Sequence, residues 1–375
     1  MTPRRGFGLY VHWPFCQAKC PYCDFNSHVK ANVDQSAWAL AYEKEIARIA
    51  EETSGRTLST VFFGGGTPSL MLPETVDRIL SAARSSWPSV NDLEVTLEAN
   101  PTSIEAKRFA AYADLGVNRV SIGVQSLRDS DLRRLGRLHS AEEARNSVRL
   151  AHEMFERVSF DLIYARQDQS LEEWRHELDE ALDIARGHLS LYQLTIEPGT
   201  AFGDRFSRGK LAGLPEEELS ADMYELTQEV TSAAGLPAYE VSNHAGPGQE
   251  SQHNLIYWRS HDWIGVGPGA HGRYSIDGAR VATETHLGPG AWMNAVNKGN
   301  GESLRYTLSQ ADAEAERIMM GLRLSEGLPE SSLQEYLSKI NYLEEIGLLS
   351  KAGGNVVTTR NGRMVLNAVI KEILA

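Results

Sequence analysis

The chain has 375 residues, 42% of them apolar, and a formal net charge of -13. That length accommodates one large domain and a smaller one with full cores, and the acidic balance argues against nucleic acid as a main partner, because phosphate binding needs a basic surface. No long uncharged apolar run is present, so no transmembrane segment is expected, while peripheral membrane contact stays open.

The opening Met1-Thr2-Pro3-Arg4-Arg5-Gly6 lacks the apolar stretch of a secretory signal. A first strand, expected over 8–12, delivers a loop with the only three cysteines, Cys16, Cys20 and Cys23, spaced CxxxCxxC. Clustered thiols without a disulfide framework indicate a reducing compartment, so a cytoplasmic protein is expected. Thiolates are soft ligands that suit iron–sulfur clusters, zinc or copper(I). Three of them can hold three irons of a [4Fe–4S] cluster and leave the fourth open to S-adenosylmethionine (SAM). A structural zinc site would need a fourth ligand, His12 or His28. A disulfide would leave one thiol over.

Further strands are expected over 60–63, 93–98, 119–124, 159–163 and 189–196, rich in Val, Ile, Leu and Phe as buried parallel strands are. Amphipathic helices fall between them over 37–51, 73–85, 104–115, 141–155 and 171–185, the fourth opened by the N-cap Ser140. Such alternation predicts an α/β fold with a parallel sheet, a partial (β/α) barrel or a doubly wound layer, with ligands at the carboxyl ends of the strands.

The motifs fall at those ends. Gly64-Gly65-Gly66-Thr67-Pro68 follows the second strand, where missing Cβ atoms let backbone approach a ligand. Glu98 tips the third strand; it is either a solvated turn residue or an acceptor for a cationic amine or a ribose. Gln125 tips the fourth, and Arg137 follows a short charged helix. Asp161 lies among apolar residues of the fifth, where the plain alternative is a helix cap.

Past Glu197-Pro198-Gly199-Thr200, a polar helix over 216–234 is expected to cover one edge of the barrel. His244, His253 and His271 follow among glycines and aromatics and read as loop residues. Imidazole is a common axial ligand of haem iron and aromatic walls suit a porphyrin face; alternatively these histidines bond backbone and fix the loops. The tail reads as helices over 311–324, 330–339 and 342–346, a hairpin over 351–359 turning at Gly353-Gly354-Asn355, and a last helix over 360–374. That order is winged-helix-like, but Lys and Arg are not concentrated there, so packing or partner docking is expected rather than DNA binding. The expected division is 1–200, 201–306 and 307–375.

From Tyr10 through Asp161 the chain resembles radical SAM proteins related to oxygen-independent coproporphyrinogen III oxidase, and more narrowly the HemW-type haem-chaperone branch. The matching pieces are Tyr10-Val11-His12, the cysteine loop, Gly64-Gly65-Gly66-Thr67-Pro68, Glu98-Ala99-Asn100-Pro101, Ile122-Gly123-Val124-Gln125-Ser126, Gly136-Arg137 and Asp161-Leu162-Ile163-Tyr164. The resemblance implies a partial (β/α)6 barrel, to which the tail adds a C-terminal α+β winged-helix-like domain. It implies a cluster on Cys16, Cys20 and Cys23, and SAM contacts from Tyr10, Gly65, Gly66, Thr67, Glu98, Gln125, Arg137 and Asp161, with Tyr22 packed beside the cofactor. The run His253-Asn254-x-x-Tyr257-Trp258 matches the haem-chaperone branch, which makes His253 the favoured haem ligand over His244 and His271.

The implied function is a haem chaperone that passes haem to a target protein, with an electron donor needed if SAM is cleaved. The alternatives are radical decarboxylation of coproporphyrinogen III and another radical SAM reaction. In the decarboxylases a further cysteine follows the third ligand after one residue, where this chain has Phe25, and a longer segment precedes the motif; both differences favour the chaperone. After Asp161 the family's Gly-Leu-Pro type turn is replaced by Ala165-Arg166-Gln167-Asp168-Gln169, which removes the family's guide to substrate contacts there.

Overall fold

The computed structural model describes residues 6–375; 1–5, read above as the start of a chain without a secretory signal, lie outside the described residues. Six parallel strands form its centre: β1 (Phe7–Trp13), β2 (Leu58–Gly65), β3 (Ser89–Ala99), β4 (Arg119–Gln125), β5 (Arg157–Tyr164) and β6 (His188–Gln193). They pair in that order, which is what successive strand–helix units produce. The helices α1 (Gln35–Glu52), α2 (Pro73–Ser86), α3 (Ala141–Met154) and α4 (Leu171–Ile184) cross between them. Ser140 and Ser170 start α3 and α4 as full capping boxes with Glu143 and Glu173.

Side chains alternate along each strand. Leu9, Val11, Val61, Phe63, Val95, Leu97, Phe160 and Leu162 join the helices in one apolar core. Each such fully buried side chain contributes about 1.5–3 kcal/mol. The intervening positions, among them Glu98, Ser121, Asp161 and Ser190, face a cavity inside the curved sheet.

The sheet runs on at both edges. β7 (Asn243–Ala245) adds antiparallel to β6, and β8 (Asp262–Val266) adds parallel to β1. β9 (His271–Ile276), β10 (Ala279–Thr285) and β11 (Glu302–Thr307) continue from β8 as an antiparallel meander. The polar helix α5 (Glu217–Ala233) lies against α4, where Thr227 accepts the indole N–H of Trp174 at 2.9 Å. A short helix α6 (Gln252–Trp258) closes the floor of the barrel. Among the described residues no helix is long and apolar enough to cross a membrane.

The tail builds a second core from Ile318, Leu322, Ile340, Leu343, Val356, Val369 and Ile373. Its elements are α7 (Gln310–Gly321), β12 (Leu328–Pro329), α8 (Leu337–Glu345), β13 (Leu349–Ala352), β14 (Asn355–Thr358) and α9 (Leu366–Leu374), with β12 and β13 flanking β14. Gly353 and Gly354 turn the hairpin with φ of 59° and 84°.

Several boundaries differ from the sequence expectation. The sixth strand stops at Gln193 rather than at 196, and 104–115 splits into Ser103–Ala106 and Phe109–Asp114. The helix expected over 330–339 begins as two 3-10 turns, and 360–374 breaks at Val365. His244, His253 and His271 lie in β7, α6 and β9, not in loops. These elements are too short for a period to show, and tertiary partners define them.

Candidate functional site

The carboxyl ends of β1–β6 open into a cavity of about 1180 Å³. Cys16, Cys20 and Cys23 line one wall as free thiols. Burial pushes the Cys16 and Cys23 thiols up from their ordinary pKa. Among the described residues no three His, Cys, Asp or Glu side chains are arranged to hold a single metal ion. The histidines a zinc site would need are engaged elsewhere. His12 meets Tyr10 Oη at 3.0 Å and Asn26 O at 2.9 Å, and His28 meets Asn26 Oδ1 at 3.1 Å. Three soft thiols facing open space, with no fourth protein ligand among the described residues, fit a polynuclear cluster that keeps one iron free.

The glycine loop is laced onto the cysteine loop. Gly66 N–H donates to Trp13 O at 2.7 Å, and Thr67 N–H to Phe15 O at 2.9 Å. A Cβ on Gly66 would lie 2.8 Å from Phe15 O and 3.0 Å from Cys16 Sγ. Gly65 has φ of 115°, and a Cβ there would meet the His12 ring at 2.7 Å. Thr67 Oγ1 donates to Cys16 Sγ at 3.4 Å.

Two acids and an arginine stand in the same cavity. Glu98 accepts the Gly65 N–H at 3.2 Å. Its carboxyl touches the cavity but is shielded from bulk water, and burial, then the nearby charge of Asp161, push its pKa up to about 8. Burial raises Asp161 to about 6, with Arg137 and a hydrogen bond from Gln125 pulling the other way. Gln125 reaches Asp161 from a strained backbone with φ of 69°. Arg137 Nη1 lies 3.5 Å from Cys20 Sγ, while Nη2 donates to Asn100 Oδ1 and Gly123 O, both at 2.6 Å. Its buried Nε finds no acceptor among the described residues, which fits a site that a polar ligand completes. The two acids, each costly to ionise alone, fit a cation between them.

Tyr22 lines the same cavity and packs on Phe202, with ring centroids 6.5 Å apart. Tyr10 does not line it: its ring lies beneath, between His12, Phe62 and His253. None of the three histidine candidates lines it either. His253 is fully buried, with Nδ1 2.6 Å from Thr60 Oγ1 and Nε2 2.7 Å from Tyr257 Oη. Burial, with Arg119 nearby, lowers its pKa to about 3, so the ring is neutral. His244 is buried beside Gln228, whereas the side chain of His271 is 55% exposed.

The unusual turn after Asp161 stays out of the cavity. Arg166 is buried and pairs with Glu177 and with Asp131, fastening the turn to α4 and to the helix Asp129–Arg134.

Sequence reasoning passed over Asn26, which ties the cysteine loop to a distant one by donating to Pro268 O and Leu287 O, both at 2.9 Å. It assigned no role to Asn100, which joins Arg137 to Thr67. It also missed Arg323 and Arg363 from the C-terminal domain, which line the far wall. The position of Asn100, just past a strand tip, was a usable signal; the others have none in local sequence.

Comparison with known proteins agrees with this geometry. Residues 10–181 match the radical SAM superfamily, and 308–365 match the HemN C-terminal domain. The chain is 37% identical to the haem chaperone HemW of Escherichia coli, over 98% of each. It is 38% identical to the mitochondrial radical S-adenosyl methionine domain-containing protein 1 of Bos taurus, over 98% of this chain and 87% of that one. The solved structure of coproporphyrinogen III oxidase (HemN) from Escherichia coli superposes with a TM-score of 0.82 at 23% identity, covering 99% of this chain and 90% of that one, and so shares its fold.

Proposed function

Because the chain belongs to the HemW-type haem-chaperone branch of the radical SAM superfamily, we propose that it binds haem and a [4Fe–4S] cluster with SAM and hands haem to a target protein in a reducing cytoplasm. The observation that carries this reading is one cavity that holds three free thiols together with Glu98, Asp161 and Arg137. Phe25, 60% exposed at the rim, stands where the decarboxylases have a further cysteine.

In this reading Cys16, Cys20 and Cys23 hold the cluster. When bound and supplied with an electron by a donor protein, that group supplies reductive cleavage of SAM. The chain's own residues bind and orient. Glu98 accepts from a cationic amine or a ribose, with Asp161 and Gln125 beside it. Gly65 and Gly66 admit the methionine end, and Thr67 and Arg137 steady the thiols. Tyr10 acts from below, holding His12 and through it Asn26 of the cysteine loop. His253 is the proposed haem ligand. To bind iron through Nε2 it must exchange its hydrogen bond with Tyr257 for the metal, so ligation requires α6 to loosen.

An anaerobic haem titration of the reconstituted protein, following the Soret band, tests the reading. Saturable, stoichiometric binding that weakens in His253→Ala is expected. Binding unchanged by that substitution keeps the carrier and moves the ligand to His271, whose ring is accessible, ahead of the buried His244. Absence of specific binding, or anaerobic turnover of coproporphyrinogen III to protoporphyrinogen IX, overturns it.

A further inference from the structure

The cavity has a second charged wall that the cluster and SAM do not use. It lies at the seam between the barrel and the C-terminal core. There Arg323, just past α7, and Arg363, just before α9, both line the cavity.

Neither arginine forms an ion pair among the described residues. Arg323 donates to Met319 O and, at 3.3 Å, to Asn367 Oδ1, so neutral groups hold its head. Arg363 meets the Tyr224 hydroxyl, and its buried Nη1 finds no acceptor among the described residues. No nearby acid forms an ion pair with either guanidinium among the described residues. Glu225 is taken by Arg360 at 3.0 Å. Glu240 is buried and acts on Arg323 at a distance, but its carboxylate is hydrogen-bonded by Asn243 rather than by the arginine. Glu197 and Glu217 line the cavity without pairing to either guanidinium.

A guanidinium is always charged, and the buried Nη1 of Arg363 lacks an acceptor among the described residues, which a bound anion would supply. Two of them on one wall of a large cavity are accounted for by an anionic ligand, and the planar fork of Arg suits carboxylates. Val241, Val365 and Leu366 offer apolar surface beside them. We propose that Arg323 and Arg363 form a carboxylate subsite that takes the propionate arms of a tetrapyrrole held in the cavity, its apolar body lying along those three side chains. This rests on the haem-carrier reading above but not on His253 as the iron ligand, since His253 does not line the cavity, and it adds the group that orients the ligand.

Anaerobic titrations of the full reconstituted chain with haem, and with haem dimethyl ester whose propionates are blocked, test the subsite. Wild type binds haem about tenfold more tightly than the ester, the size expected for a charge-assisted pair. Arg363→Gln and Arg323→Gln lose that preference while their affinity for the ester stays unchanged, and Arg363→Lys recovers part of it. Equal wild-type affinities for the two ligands, or a Gln variant that weakens both equally, overturn the subsite and leave the carrier reading standing. Wild type that binds neither ligand overturns the carrier reading and the subsite with it.

Discussion

Thr60 Oγ1 lies 2.6 Å from Nδ1 of His253, a hydrogen bond that ties β2 to α6 across the interior of the barrel. Tyr257, one turn along α6, satisfies the other ring nitrogen at 2.7 Å. His253 is therefore part of the barrel floor before it is anything else. Tyr257→Phe keeps the ring but leaves a buried nitrogen unpaired, at a cost of about 1–3 kcal/mol in denaturant unfolding of the haem-free protein. The same substitution frees Nε2, so it should tighten haem binding if His253 is the ligand. Unaltered stability would contradict the buried pairing, and unaltered or weaker haem binding would count against ligation.

The two acids of the cavity predict a pH dependence. Glu98 ionises near its ordinary value in the unfolded chain but only at about 8 in the fold, and Asp161 only at about 6. Between the unfolded and folded values the native state binds more protons, so these groups make stability fall as pH rises from about 4.5 to about 8 for Glu98. Glu98→Gln should stabilise the cofactor-free protein relative to wild type, little at pH 5 and increasingly toward pH 8. Thermal unfolding across that range checks this; a gain independent of pH would reject it. A bound cation favours the ionised pair, so SAM affinity should rise over the same interval.

The thiols are tested directly. Cys20→Ser should abolish the broad visible absorption of a reconstituted sample. Asn100→Ala should keep that absorption while costing about 1 kcal/mol of stability, since it removes the link from Arg137 to Thr67 but no ligand. Full absorption in the first variant refutes the ligand assignment.

Asn26 holds the cysteine loop against residues more than two hundred positions away. Asn26→Ala should cost about 1–3 kcal/mol and raise amide hydrogen exchange around Pro268 and Leu287 together with the cysteine loop. Faster exchange on one side only would mean that the two loops are not coupled through this side chain.

The sequence by itself determined the six central strands and that their motifs, with the cysteines, Gly65, Gly66, Glu98, Gln125, Arg137 and Asp161, gather at one end of a parallel sheet. Parallel strands buried on both faces read as short apolar runs, and successive strand–helix units place their motifs at one end of one sheet. What local patterns could not carry was decided by contacts between distant segments. β8 lies beside β1 across some two hundred and fifty residues, His253 is committed to Thr60, and the two C-terminal arginines reach the barrel's cavity. Periodicity reports which face of an element is apolar, whereas the partner of a buried polar side chain depends on how the elements close around it, and only the tertiary structure supplies that.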